Sequence, residues 1–242
     1  MEYKQTIPQR INFYNCDSSR NLTLRAYLEW SVELGNLHLE SRGITWPEMQ
    51  EKRQVFLLSR LAFRRMAPVT YAQSCRFTTW EFGVKGPQFI RNFSLEGEDG
   101  QVLAQSTSAW ILVDPVERSI LRPSQCVYTM QPNPSPVAPE LRRLHLPQLP
   151  ELARHKVRPS QIDCNGHMGN PFYADILSDY APEPFQGSVV EELQMSFDHE
   201  ARLGDELTLR GRVTGPDSYE MQAVLPDGKK CFEAQVKVQK PE

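Results

Sequence analysis

Between Asn21 and Gly43 the residues Leu24, Leu28, Val32 and Leu39 recur near helical spacing, and Tyr27, Leu34 and His38 widen the stripe. That pattern predicts an amphipathic helix, with Asn21 as its N-cap and Gly43 as its stop. Downstream the period changes. VFLLSRLAF, SCRFTTWEFGV, FIRNFSLEG and AQSTSAWILVD are rich in β-branched and aromatic residues, and turn chemistry such as Glu98-Asp99-Gly100 separates them. They predict four strands. The order then recurs. Asn170-Pro171 opens PFYADILSDY, with Asn as cap, Pro at the first helical position, and Phe172, Ile176 and Tyr180 on one face. Four further strand candidates follow: VVEELQMSF, ELTLRGRVTG, YEMQAVLP and KCFEAQVKVQ, with Pro226-Asp227-Gly228 as a hairpin turn.

Seven of the 19 prolines fall between Arg122 and Pro150. Proline lacks a donor N–H, so this segment reads as an extended connector rather than a central strand or a helix; an ordered loop on one domain is the alternative. It divides the chain into 1–122, a connector at 123–150, and 151–242. One helix followed by a four-strand antiparallel meander, twice over, is an α+β plan in which each helix buries its stripe on a curled sheet. That is the hotdog arrangement. Two copies in one chain predict a tandem, or double, hotdog fold, a pseudo-dimer with its sheets joined edge to edge.

Composition adds exclusions. With 242 residues, 40% hydrophobic and 24% charged, the chain is globular, and it lacks the long uncharged apolar run of a membrane helix. The start, MEYKQTIPQR, has neither the apolar core of a signal peptide nor the character of a transit peptide. Five cysteines at irregular spacings, without a CxxC pair, fit reduced thiols. The expectation is a cytoplasmic protein. The net charge of −3 is a cancellation: residues 1–150 carry 17 basic and 14 acidic side chains, residues 151–242 carry 10 and 16. The basic excess of the first part is too slight for a nucleic-acid binder.

The candidate chemistry lies in VRPSQIDCNGHMGNPFYADIL. Asp163, Asn165 and His167 stand two residues apart just before a helix. In extended backbone that spacing points a carboxylate, an amide and an imidazole the same way. The N–H groups of the helix start would stabilise an oxyanion, and Gly166 and Gly169 would allow close approach of a substrate. A simple turn with Asn170 as cap is the bland alternative. The scattered histidines offer no metal-ligand spacing, so no metal and no cofactor are expected.

Those residues carry a resemblance. The R-x-x-x-x-D-x-N-x-H-x-x-N segment, followed by a helix and a strand ending in an acidic residue, resembles the acyl-[acyl-carrier-protein] thioesterases of fatty-acid synthesis, double-hotdog enzymes of plants and bacteria. VFLLSRLAFRRMAPVTYAQSCRFTTWEFG and STSAWILVDPVERSILRP are similar to strands of the family's first half. The resemblance implies a hydrolase acting on a fatty acyl chain held by acyl carrier protein. It places the catalytic carboxylate on Glu200, in MSFDHEARLGDEL. The family usually has a cysteine next; here the residue is Ala201. The expected mechanism is therefore direct attack by water, with Glu200 as base, His167 bonded to the water or to Glu200, Asn165 positioning water or the carbonyl oxygen, and Asp163 orienting the others. Leu193, Met195 and Phe197 alternate toward the core, so Glu200 needs a strand end or a bulge after Phe197 to face the site.

Matching the presumed caps, Asn21 with Asn170, sets Tyr14, Cys16 and Ser18 opposite Asp163, Asn165 and His167. Matching Phe63 with Phe197 sets Met66 opposite Glu200. On that alignment the first copy has lost all four polar groups. The resemblance gives it the acyl chain instead, walled by residues such as Phe56, Leu61, Trp80, Phe89, Phe93 and Trp110. Arg64, Arg65, Lys85, Arg91, Arg142 and Arg143 are candidates for docking an acidic carrier. An acyl-coenzyme A thioesterase, a dehydratase or a non-catalytic acyl-binding protein on the same fold are the rival readings, and self-association into a homodimer stays open.

Overall fold

The computed structural model describes residues 3–137 and 139–239. The chain forms two compact units. One comprises the residues up to Leu22 together with Glu29–Leu141; the other comprises Thr23–Leu28 and the residues from Arg142 onward.

The first unit contains β1 (Lys4–Arg10), α1 (Leu24–Glu40, from Glu29), α2 (Trp46–Glu51), β2 (Val55–Arg65), β3 (Ser74–Lys85), β4 (Gln88–Gly97), β5 (Val102–Asp114) and β6 (Ser119–Ile120). Its strands pair antiparallel in the order β1-β3-β4-β5-β2, with β6 on β5. The second unit contains β7 (Glu151–Lys156), α3 (Phe172–Asp179), β8 (Val189–Phe197), β9 (Glu206–Gly215), β10 (Ser218–Val224) and β11 (Lys230–Gln239). Its order is β8-β11-β10-β9-β7, the same topology. All eight expected strands are present, but only three of each set form a meander. β2 pairs with β5, and β8 with β11, rather than with the strands that follow them. β1 and β7 complete the sheets. They are edge strands with exposed, charge-bearing alternate positions, and β1 holds Pro8, so neither gives a strong apolar signal.

The helix starts differ from expectation. Thr23, not Asn21, caps α1: its Oγ1 accepts the Ala26 N–H at 3.2 Å. Helix α3 starts at Phe172 with Pro171 in the cap position, so Asn170 is not its cap. Helix α2 has a capping box: Glu48 N–H bonds Thr45 Oγ1, and Glu48 Oε2 takes the Thr45 N–H at 2.8 Å. In the second unit, Tyr173, Ile176 and Leu177 bury one face of α3, and the Tyr173 ring meets Phe197 and Phe232 edge-on.

The proline-rich connector is ordered by side chains from the sheets. Gln131 N–H donates to Glu81 Oε2 at 2.7 Å, and Ser135 O accepts from Trp80 Nε1 and Asn92 Nδ2. In the second unit, Arg142, Leu146 and Leu149 donate their N–H groups to Gln194, Glu233 and Gln222. Gln222 returns its own N–H to Pro147 O at 3.0 Å. A segment so rich in proline cannot ladder with a strand, so buried polar side chains stand in for one. Trp80 therefore faces the connector, and it is removed from the expected acyl-chain wall. Among the described residues no helix is long and apolar enough to cross a membrane.

Gln222 is 4% exposed. Gln222→Ala would leave the Leu149 N–H and the Pro147 carbonyl without partners, so it should lower stability by about 1–3 kcal/mol. A shift of the urea midpoint with unchanged m-value checks this.

Candidate active site

The segment from Ile162 to Met168 is a closed turn, not extended backbone. Ile162 and Met168 pair as an isolated bridge. Asp163 N–H donates to His167 O at 3.0 Å, and Gly166 N–H donates to Asp163 O at 3.0 Å. Gly166 sits at φ +81°, a left-handed conformation that glycine takes without strain. Asp163 Oδ1 accepts the Asn165 N–H at 2.8 Å, the local bond by which aspartate shapes turns. Alternation along a strand thus has no part in bringing these residues together. Gly169 serves packing: a Cβ there would stand 3.4 Å from Asp163 Cβ and from the Phe172 ring.

Glu200 arrives from the other side. Strand β8 ends at Phe197, after which the N–H groups of Asp198 and His199 both point at Cys231 O, 2.9 and 3.4 Å away. This local break re-aims the chain. Ala201 is then fixed by its carbonyl, which accepts the Met168 N–H at 2.8 Å. Because Met168 follows His167 and Ala201 follows Glu200, that bond brings His167 Nε2 to 3.6 Å from Glu200 Oε1. On the other ring edge His167 Nδ1 is 3.9 Å from Asp163 Oδ1. The structure therefore gathers Asp163, His167 and Glu200. Their side chains are partly open, 30%, 15% and 32% exposed. Asn165 stands at the exposed tip of the turn.

Two expectations need correction. The first N–H groups of α3 do not form an oxyanion site: those of Phe172, Tyr173 and Ala174 bond to the carbonyls of Gly169, Asn170 and Pro171. The docking set also shrinks. Arg65 is buried, its guanidinium donates to Leu22 O at 2.7 Å, and burial pulls its pKa down to about 10. Arg91 is buried against His38. Lys85, Arg142 and Arg143 are exposed.

Two of the five thiols are poor nucleophiles. Cys231 is fully buried, and burial pushes its pKa up to about 11; burial does the same to Cys75. Ala201, where the resemblance expects a cysteine, is itself fully buried beside Tyr173 and Cys231. Among the described residues no group of three or more His, Cys, Asp or Glu is arranged to hold a metal ion.

The first unit holds a copy of the same turn, 146 positions earlier. Cys16 bridges Leu22 as Ile162 bridges Met168. Asp17 N–H donates to Asn21 O, Arg20 N–H to Asp17 O, and Ser19 N–H to Asp17 Oδ1, at 2.9, 3.0 and 2.9 Å. Arg20 holds the positive φ of Gly166, and Leu22 N–H donates to Val69 O as Met168 does to Ala201. Tyr27, buried like Tyr173, occupies the matching helical position. Asp17 is thus the counterpart of Asp163, Ser19 of Asn165, Asn21 of His167, and Pro68 of Glu200. The cap-based match slips by three residues because neither Asn21 nor Asn170 is a cap, and the two helices start at different distances from their turns. The first copy keeps the turn-forming aspartate and lacks the imidazole and the carboxylate. The correspondence of Tyr173 with Tyr27 escaped the sequence reading, which placed Tyr27 only on the stripe of α1.

Two family models match most of the chain. The acyl-ACP thioesterase N-terminal domain matches residues 2–127, and the acyl-ACP thioesterase C-terminal domain matches residues 146–236. The chain belongs to the acyl-ACP thioesterase family. A chloroplastic palmitoyl-acyl carrier protein thioesterase of Gossypium hirsutum is 22% identical over 232 residues, 88% of this chain and 55% of the relative. The chain thus spans about half the length of that curated relative. Among solved structures, an acyl-ACP thioesterase from Bacteroides thetaiotaomicron matches with TM-score 0.88 at 18% identity, covering 98% of each chain. A 12:0-ACP thioesterase from Umbellularia californica matches with TM-score 0.82 at 15% identity, covering 99% of this chain and 98% of the other. The double-hotdog fold is shared with both.

If the aspartates shape their turns through one acceptor oxygen, Asp163→Ala and Asp17→Ala should each cost about 1 kcal/mol of stability. Asparagine at either position keeps that acceptor and should recover most of the loss. Chemical denaturation of the four variants checks this, and an asparagine variant as unstable as alanine would contradict it.

Proposed function

We propose that the protein hydrolyses the thioester of fatty acyl chains carried on acyl carrier protein, releasing the free fatty acid. The observation that carries this reading is the approach of His167 to Glu200 at 3.6 Å on two backbone segments held by the Met168–Ala201 bond. Family membership and the relatives' names supply the substrate class.

In this mechanism Glu200 takes a proton from a water that attacks the thioester carbonyl carbon, while His167 holds the water or the carboxylate in line. Asn165, at the open tip, holds water or the carbonyl oxygen, and Asp163 acts through the shape of the turn. The tetrahedral intermediate expels the carrier's thiolate, which receives the proton held by Glu200. This route uses no acyl-enzyme: the residue after Glu200 is Ala201, and the nearby Cys231 thiol is buried and raised to about 11. A thioester is electrophilic enough for a positioned carboxylate base to suffice.

The proposed division of labour assigns residues 151–242 the chemistry and residues 1–122 the acyl chain, with 123–150 as connector. The carrier docks on exposed cations such as Lys85, Arg142 and Arg143. The reduced-thiol composition supports a cytoplasmic setting, and a homodimer is compatible with this reading.

Glu200→Gln should lower kcat by about a hundredfold or more, with KM little changed. His167→Ala should fall in the same range. Thiol release from matched acyl-carrier-protein and acyl-coenzyme A substrates checks both the site and the carrier. A Glu200→Gln enzyme with normal turnover would overturn the assignment, and equal kcat/KM on both carriers would remove the carrier protein as the specific partner.

A further inference from the structure

The first unit exposes three aromatic rings that the proposed hydrolysis does not use. Phe13 and Tyr14 open a single turn of 3-10 helix, Phe13–Asn15, and stand 73% and 95% exposed. Tyr71, 49% exposed, lies beside them. The Phe13 ring meets Tyr14 edge-on at 5.5 Å between centroids, and Tyr71 edge-on at 6.3 Å. The turn does not need these rings. In the second unit Pro159–Gln161 makes the same turn 146 positions later, with Pro159 and Ser160 in the places of Phe13 and Tyr14. Both turns close by the same bond: Asn15 Oδ1 accepts the Asn12 N–H at 3.0 Å, and Gln161 Oε1 accepts the Arg158 N–H at 2.9 Å. Clustered rings this exposed leave apolar surface in water with no return in folding, which marks a contact with something else.

Charge and shape say what that is. Arg10 and Arg20 are exposed, and the Arg20 carbonyl accepts the Tyr71 N–H at 3.0 Å. Ile11 exchanges backbone bonds with Ala72 and Gln73, at 2.9 Å each, which sets Arg10 beside the Tyr71 segment. The acid of the turn, Asp17, is turned inward: its Oδ1 accepts the N–H groups of Ser19 and Asn21 at 2.9 Å, and its charge faces the buried Arg65. Glu98 shares a surface hollow with Arg10 and Arg76, and Glu96 lies 3.6 Å from Arg76, so the balance around the rings stays positive. The three rings expose on the order of 400 Å². That is about half of what each partner gives to a stable protein interface. Tyr14, almost wholly exposed, stands clear of its surroundings, so the rings form a convex tip rather than a socket. A tip of Phe and Tyr rings flanked by arginines fits the headgroup level of a bilayer, where the rings insert while the hydroxyls and guanidinium groups stay wet.

We propose that Phe13, Tyr14 and Tyr71 are a membrane-contact tip, by which the first unit docks reversibly on an anionic phospholipid bilayer with Arg10 and Arg20 against the headgroup phosphates. The inference does not depend on the reaction proposed above. Three shallow rings and two cations hold the protein weakly, so it exchanges between bilayer and water.

Sedimentation of the whole protein with vesicles of phosphatidylcholine, with and without phosphatidylglycerol, tests this. The wild type should partition several-fold more onto the vesicles with phosphatidylglycerol, and the difference should shrink as salt rises. Phe13→Ser/Tyr14→Ser, shown to be folded by its urea midpoint, should partition about tenfold or more weakly onto both kinds of vesicle. Arg10→Gln/Arg20→Gln should lose the preference for the anionic vesicles; it decides the matter if the aromatic variant does not fold. A wild type that stays in the supernatant with phosphatidylglycerol vesicles at low salt, or folded variants that sediment as the wild type does, would overturn the tip. A wild-type dimer that the aromatic variant loses, without vesicle binding, would overturn it too and assign the rings to a second copy of the chain.

Discussion

One backbone hydrogen bond, from Met168 N–H to Ala201 O at 2.8 Å, makes neighbours of His167 and Glu200. The two residues are far apart in sequence and come from different structural contexts, a tight turn and the frayed end of a strand. Each precedes its half of the bond by a single residue, so side-chain freedom is limited to the two rotamers rather than to two mobile loops. Tyr173 packs beside this segment, buried in the core with its hydroxyl 3.3 Å from Cys231 Sγ. Pre-organisation of this kind is what a site that works through a water needs, because the geometry must exist before the substrate arrives.

The repeated turn separates scaffold from chemistry within one chain. The first unit has the bridge, the aspartate, the positive φ and the backbone bond to the strand end. It reaches all of them with Asn21 and Pro68 where the second unit has His167 and Glu200. The features present in both copies are therefore explained by folding alone. Asp163 belongs with them: its carboxylate is committed to a backbone N–H at 2.8 Å, closer than its 3.9 Å approach to the imidazole. The histidine and the glutamate are additions to a turn that forms without them.

Much of the fold was legible because apolar periodicity marks elements that bury a face. The eight strands with long β-branched or aromatic runs and the stripe of α1 were read within a few residues. What escaped has a physical reason. Edge strands β1 and β7 carry polar and charged residues where central strands carry apolar ones, and strand order depends on pairings that no local pattern encodes. Helix α2 is only six residues long, but its Thr45-x-x-Glu48 box was a readable signal. The members of the candidate site were legible through the D-x-N-x-H spacing and the family resemblance, whereas its geometry was not. Two-residue spacing suggested a strand, while the glycine at 166 and the aspartate at 163 build a turn. Pairing Asn21 with Asn170 as caps, when neither caps its helix, then shifted the internal alignment by three residues and hid Asp17.

The same logic accounts for the polar residues buried in both units. Gln194, Gln222 and Glu233 sit on sheet faces that a globular domain would usually leave to solvent or to apolar packing. Each meets an N–H of the connector that proline-rich sequence cannot satisfy by ladder pairing. Glu81 differs from them. One of its oxygens serves the connector through Gln131, and the carboxylate also pairs with Arg91 and with Arg42, whose guanidinium donates to the connector carbonyl of Thr129 at 2.6 Å. A buried ion pair that only held the fold together could be exchanged for apolar packing at little cost. The Glu81 cluster is kept for the connector: it ties the end of α1 and β4 to that segment, doing with buried ions in the first unit what Gln194, Gln222 and Glu233 do in the second.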